Sequence, residues 1–161
     1  MDLKFCKTVI DEHFNTIKQE AEKNQICLRK ACGCAILTFL NDGTIFSTHA
    51  INGPSHPNNK CTNEIGNCGC SHAEPRAILS HLKSCYENDC PTILLTTYSS
   101  CTPCANLIIE SNFIDAVTYE IWAPHWARAD IILRNVLNVW TRNEITEELL
   151  RKFFDDYSTR Q

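Results

Sequence analysis

His72-Ala73-Glu74, followed farther along by Cys101-Thr102-Pro103-Cys104, offers one histidine and two cysteines to a single metal ion. Structural zinc is normally closed by four protein ligands, whereas catalytic zinc keeps one position open for water and lowers that water's pKa toward 7. Three ligands therefore point to a catalytic zinc and to hydrolysis. Glu74 lies two residues beyond the histidine, so on a helix it cannot share the histidine's direction. It stands instead where a carboxylate could carry the protons of an activated water. This makes Glu74 the candidate catalytic residue and His72, Cys101 and Cys104 the candidate metal ligands.

Taken singly, each piece has a plainer reading. A histidine at a helix start can be a surface cap, and Cys-x-x-Cys after a strand can be a redox pair or a structural zinc knuckle. Placement separates these readings. His72 and Glu74 open one predicted helix, and Cys101 and Cys104 open the next. Helix N-termini carry partial positive charge, which keeps thiolates ionised and stabilises developing anions.

The elements that must position these residues read in order along the chain. Apolar residues from Leu3 to Ala21 repeat at a helical period. Gly33 to Phe39 reads as a buried strand, turned by Asn41-Asp42-Gly43 into Thr44-Ile45-Phe46-Ser47, a strong hairpin signal. Asn52 to Ser71, rich in Gly, Pro, Asn and Cys, reads as a loop. It is long for a structureless connection, which points to function or a metal tie. Ser71 and Glu74 stand at capping-box spacing ahead of a helix, with Pro75 in its first turn. Thr92 to Thr97 is a strand, Cys104 to about Asn112 a helix, and Ala116 to Trp122 a strand. A helical stripe runs from Trp126 to Leu137, Val139 to Thr141 is a short last strand, and Ile145 to Tyr157 a closing helix. The alternation of the second half implies parallel strands joined by crossover helices. The expected fold is α/β: a three-layer α/β/α sandwich around one mixed five-stranded sheet.

The chain of 161 residues, 43% hydrophobic and 21% charged, suits one domain over residues 1–161 with a sizeable core. A formal net charge of −4 argues against a nucleic-acid partner, since polynucleotide binding leaves a basic footprint, but it allows a small anionic substrate in a local basic pocket. No apolar run has the length of a membrane span or of a signal-peptide core. Without an export signal, eleven cysteines read as metal ligands plus buried thiols rather than a disulfide framework. Cys6, Cys85 and Cys90 are expected to be buried thiols, and Cys32 and Cys34 core residues of the first strand.

His-x-Glu followed by a Cys-x-x-Cys pair is the signature of the zinc-dependent nucleobase deaminases. Over most of its length the chain resembles the deoxycytidylate (dCMP) deaminases of that superfamily, including the phage type. The resemblance rests on Cys27-Leu28-Arg29 before Gly33, Asn52-Gly53-Pro54, His72-Ala73-Glu74, Cys101-Thr102-Pro103-Cys104-Ala105, Tyr119-Glu120 and Asp130 to Asn135. It implies a cytidine deaminase-like fold with catalytic Zn2+, and hydrolysis of dCMP to dUMP and ammonia in the supply of dTMP. It further implies that Ala73 N–H holds the base O2, the Ser100 carbonyl the amino group and Asn52 the sugar hydroxyl. Arg29, Lys30, His125 and Arg128 become candidates for a phosphate pocket. The same resemblance implies a homo-oligomer, often a hexamer, in the cytoplasm (the host's, if the protein is viral).

The chain departs from that pattern at two places. Ser100 stands where proline usually precedes the first zinc cysteine, and Ala50-Ile51 precede Asn52 where regulated members carry Gly-Tyr. A related deaminase acting on a nucleoside, on free cytosine or on a tRNA base remains the alternative, with a non-catalytic zinc-binding module as the alternative from another class. Some phage-type members also carry a second, structural zinc. Cys27, Cys61, Cys68 and Cys70 could close such a site, with His56 as a substitute ligand; a loop of free thiols is the competing reading.

Overall fold

The computed structural model describes residues 2–56, 58–64, 68–84 and 89–159. Helix α1, Leu3–Lys23, is capped by Asp2, whose carboxylate accepts from the N–H groups of Lys4 and Phe5. Its buried positions, Cys6, Ile10, Phe14, Ile17 and Ala21, fall three or four apart, so one stripe faces the sheet. Strand β1, Gly33–Phe39, is buried along its whole length, and β2, Ile45–Ile51, pairs antiparallel with it. Gly43 closes the turn between them at φ +86°, where a side chain would be strained. Strand β2 runs four residues past the expected Ser47, because each residue from Ile45 to Ile51 finds a partner between Phe39 and Gly33.

A two-residue ladder, β3 (Gly53–Pro54) against β4 (Cys70–Ser71), closes the expected long loop. Helix α2 spans Ala73–Ser84, followed by β5 (Thr92–Tyr98), α3 (Thr102–Glu110), β6 (Ala116–Ile121), α4 (Ala127–Arg134), β7 (Asn138–Thr141) and α5 (Glu147–Ser158). The expected stripe from Trp126 to Leu137 is divided: Pro124–Trp126 form a 3-10 turn, and Val136 and Leu137 follow the end of α4. Ile145 is buried ahead of α5, whose cap is Thr146. The mixed five-stranded sheet has the order β2-β1-β5-β6-β7, with β5, β6 and β7 parallel, as the alternation of elements implied.

Side chains of β1 alternate between two cores. Ala35, Leu37 and Phe39 join α1 and α5 on one face, while Cys34 and Ile36 join α2, α3 and α4 on the other. Cys6, Cys34 and Cys90 are buried thiols as expected, and Cys85 lies outside the described residues. The layering puts the C-terminal ends of β5 and β6, the end of β2 and the start of β1 along one edge of the sheet. Crevices at the carboxyl ends of parallel strands are where open α/β sheets bind ligands. The N-termini of α2 and α3 open onto the same edge.

Candidate active site

Strand β5 ends at Tyr98, and Ser99, Ser100 and Cys101 carry the chain into α3, with Cys101 as its N-cap and Pro103 within the first turn. Proline is tolerated there because its missing N–H would have no partner in the helix. His72 precedes α2 in the same way, after β4. The two turns meet: Nδ1 of His72 lies 3.3 Å from Sγ of Cys101 and 3.4 Å from Sγ of Cys104. In a tetrahedral site with zinc–sulfur bonds near 2.3 Å and zinc–nitrogen bonds near 2.0 Å, an N···S edge is about 3.5 Å. The three groups therefore have the chemistry and the spacing for zinc.

The hydrogen bond from the Cys104 thiol, aided by His72, brings the Cys101 thiol down to about 4 against the opposing effect of burial. The same contact, burial and the charge of Glu74 push Cys104 up. His72 is raised, first by its hydrogen bond with Cys101.

Glu74 is buried at the start of α2 and does not join the trio of ligand atoms. Burial holds its carboxyl above the ordinary range, partly offset by hydrogen bonding to its charged form and by His72. A carboxyl whose hold on its proton is strengthened in this way suits proton transfer better than an ordinary carboxylate. The expected capping box is absent, because Ser71 lies in β4 with its Oγ 2.7 Å from that of Ser55. Helix α2 accordingly begins two residues after Ser71, and Glu74 turns inward instead of back over the chain.

A cavity of about 240 Å3 opens beside this centre, lined in part by His72, Glu74, Cys101 and Asn52. Ligand pockets run from about 300 Å3 upward, so the space is on the scale of one small molecule. Arg29, Lys30 and His125 line it as well, whereas the exposed Arg128 of α4 does not. Ala73 and Ser100 are both buried next to the centre. Asn52 is engaged by protein: Cys32 N–H donates to its Oδ1 at 2.8 Å, and its Nδ2 donates to the Lys30 carbonyl at 2.7 Å. Its amide thus fixes the segment that enters β1.

Cys32, Tyr98 and Trp126 are among the cavity residues that the sequence reading did not place at the site. Cys32 sits just ahead of β1, packs partly buried against the core as expected and also lines the cavity, where burial and Glu74 push its thiol up to about 12. Tyr98 carries Lys30 Nζ over its ring, 3.1 Å from the centroid. Trp126 meets His125 with ring centroids 4.7 Å apart. Tyr98, as the last residue of a strand leading into a metal-ligand turn, could have been suspected; the other two depend on tertiary placement.

Cys27, Cys61, Cys68 and Cys70 form a second cluster, their sulfurs all within 4.8 Å of one another. Sγ of Cys61 lies 3.9 Å from that of Cys27, close to the edge of about 3.8 Å of a tetrahedral four-thiolate zinc site. Leu28 N–H points at Cys61 Sγ at 3.4 Å, and such backbone donors lower the Cys61 thiol to about 7. His56 stands apart, its Nδ1 accepting from Asn58 N–H.

A three-layer α/β fold with a His-Cys-Cys centre and an adjacent carboxyl describes a zinc-binding hydrolase domain. The family model of the cytidine and deoxycytidylate deaminase zinc-binding region matches residues 8–121, and the chain belongs to that family. Among solved structures, the dCMP deaminase of the cyanophage S-TIM5 in complex with dCMP and dUMP superposes with a TM-score of 0.66 at 22% identity, covering 83% of this chain and 96% of that one. A structure from work on tRNA:A34 deaminases, which edit A to I at the wobble position, gives 0.54 at 17%, covering 83% and 97%. These identities establish a shared fold. No curated protein matches the chain.

Proposed function

We propose that this chain, a single deaminase domain over residues 1–161, hydrolyses dCMP to dUMP and ammonia. The observation that carries the reading is the His72–Cys101–Cys104 trio at tetrahedral spacing with a buried, non-ligating carboxyl beside it. Zinc bound by the trio supplies the Lewis acidity that activates a water near neutral pH. Glu74 takes one proton from that water and delivers it to ring N3 of the cytosine as the oxygen bonds to C4. It then takes the proton of the new C4 hydroxyl and passes it to the amino group, whose bond to C4 breaks to release ammonia. The Ala73 N–H holds O2 of the base, and the Ser100 carbonyl orients the amino group. Asn52 faces the sugar, while Arg29 and Lys30 gather positive charge for a phosphate, with His125 beside them in the cavity lining. The S-TIM5 enzyme, crystallised with dCMP and dUMP, supports a nucleotide substrate.

Ammonia release measured on dCMP, deoxycytidine, cytosine and an RNA stem-loop tests the assignment. The expected result is turnover of dCMP at a kcat/KM well above the others. Turnover of another member of the panel, with none of dCMP, would overturn it.

The four-cysteine cluster is assigned to a second, structural zinc, supported by its near-tetrahedral spacing. Metal counting should then give about two zinc ions per chain, and one would remove this site. We further assign the protein to the cytoplasm and to a homo-oligomer. Leu79 and Leu82 on α2 and Ile131 and Val136 on and after α4 support self-association, since all four are exposed on one layer of the fold. Among the described residues no helix is long and apolar enough to cross a membrane.

A further inference from the structure

The two thiol clusters adjoin in the chain as well as in space. Cys70 belongs to the four-cysteine set and His72 to the trio, with only Ser71 between them. Cys27, Cys68 and Cys70 line the same cavity as His72 and Cys101. The joining segment is strand β4, whose Cys70 and Ser71 pair with Pro54 and Gly53. A ladder of two residues is far below what holds its own register in water.

His72 is the ligand in need of support. Cys101 and Cys104 are buried, and the first turn of α3 fixes their separation. His72 is exposed, and among the described residues its side-chain hydrogen bonds are those of Nδ1 to the two cysteines. A metal-binding imidazole is ordinarily aimed by a bond from its second nitrogen to a carboxylate, carbonyl or water. His72 is held in the chain between β4 before it and α2 after it, so these two elements bear on where its ring points.

We propose that the four-cysteine site is a positioning device for the catalytic centre: metal held by Cys27, Cys61, Cys68 and Cys70 locks β4, and β4 aims His72 at Cys101 and Cys104. The inference rests on the zinc reading of both clusters given above. It makes the two sites energetically coupled, and coupling of binding is reciprocal. The four-thiolate site retains its metal longer, having four ligands against three, and its loss loosens the trio.

Stepwise chelation of the zinc-loaded protein tests this, with zinc release and a pulse of iodoacetamide followed by mass spectrometry reporting which thiols are free. In the wild type Cys101 and Cys104 should become alkylatable at a lower chelator concentration than the four cysteines. In Cys61→Ala, which removes a ligand that does not line the cavity, the concentration that frees Cys101 and Cys104 should fall by about 10–100-fold, the usual effect of losing support behind a metal ligand. An unchanged concentration in the variant overturns the proposal. So does a wild type in which the four cysteines are alkylated before any chelator is added, or lose protection first while Cys101 and Cys104 stay protected. This wild-type arm decides the matter if Cys61→Ala does not fold. None of these readouts involves substrate, so failure on dCMP and failure of the coupling are separate results.

Discussion

In the proposed deamination Glu74 is the residue on which the chemistry turns, and it is not one of the three grouped ligand residues. Its carboxyl is buried beside Cys104 yet outside the ligand trio. Replacing it by Gln keeps size and polarity and removes only the capacity to carry a proton. Turnover should fall by about 10²–10⁴-fold, the usual contribution of general acid–base catalysis, while the zinc content stays at the wild-type value. Unchanged activity would instead mark the centre as structural. The grouping of His72, Cys101 and Cys104 was legible in the sequence because residue type and spacing alone dictate it. The role of Asn52 was not, since it depends on which backbone groups the fold sets against its amide. With Oδ1 and Nδ2 bound to residues 32 and 30, Asn52→Ala should leave the Cys32 N–H unpaired, at about 1–3 kcal/mol, and release Lys30 from its place at the cavity. A lower urea midpoint together with a raised KM for dCMP is the expected pair of results; a raised KM at unchanged stability would leave Asn52 as a substrate contact only.

At the scale of elements, periodicity located every main helix and strand, and the errors lie where tertiary contacts decide boundaries. The start of α2 is one such case: Ser71 is a good capping residue, but β3 recruits it into a ladder and the helix waits for Ala73. Thr141 and Glu144 do form a capping box, at a 3-10 turn that hydrophobic pattern alone does not announce. Gly33 is another position that spacing could not explain. A Cβ built there would lie 2.4 Å from the Ile17 carbonyl oxygen and 2.9 Å from Ile17 Cβ, so the glycine is what lets α1 close onto the edge of β1. Both neighbours belong to a packed helix and cannot swing aside. Gly33→Ala should therefore destabilise by about 1–3 kcal/mol, the range for overpacked interiors. For a chain of this size each kcal/mol lowers Tm by about 2–4 °C. Calorimetry checks it, and a Tm equal to wild type would show that α1 can shift at little expense.

For the molecule as a whole, the two faces of the sheet each hold a histidine that the proposed chemistry does not use, His81 buried and His13 half-buried, and together they shape how the fold responds to acid. His81 of α2 lies between the hydroxyls of Thr38 and Thr48, 3.1 Å from each, and stacks on Phe113. On the opposite face His13 of α1 meets His49 of β2 at 2.6 Å, a contact that needs at least one neutral ring. Burial holds His81 below its ordinary value, and burial with the nearby His49 does the same for His13. In the unfolded chain both titrate near 6.5, so between that value and the lower folded values the unfolded state binds more protons. Their contribution to stability is therefore complete above about pH 6.5 and is lost as pH falls through the folded values. Asp11 acts later: burial opposes its ionisation, but hydrogen bonds from Lys7 and Arg142 outweigh that and lower it, so its contribution fades only below its ordinary value of 3.8. Acid weakening should thus come in two stages. The urea midpoint should hold from pH 8 to 7 and decline below 6.5, and the double variant His13→Gln/His81→Gln should show a flatter decline between pH 6.5 and 5. Protonation of the zinc ligands is common to both proteins, so it is the difference between their slopes that carries the test. Parallel profiles would mean that neither histidine is held neutral by the fold.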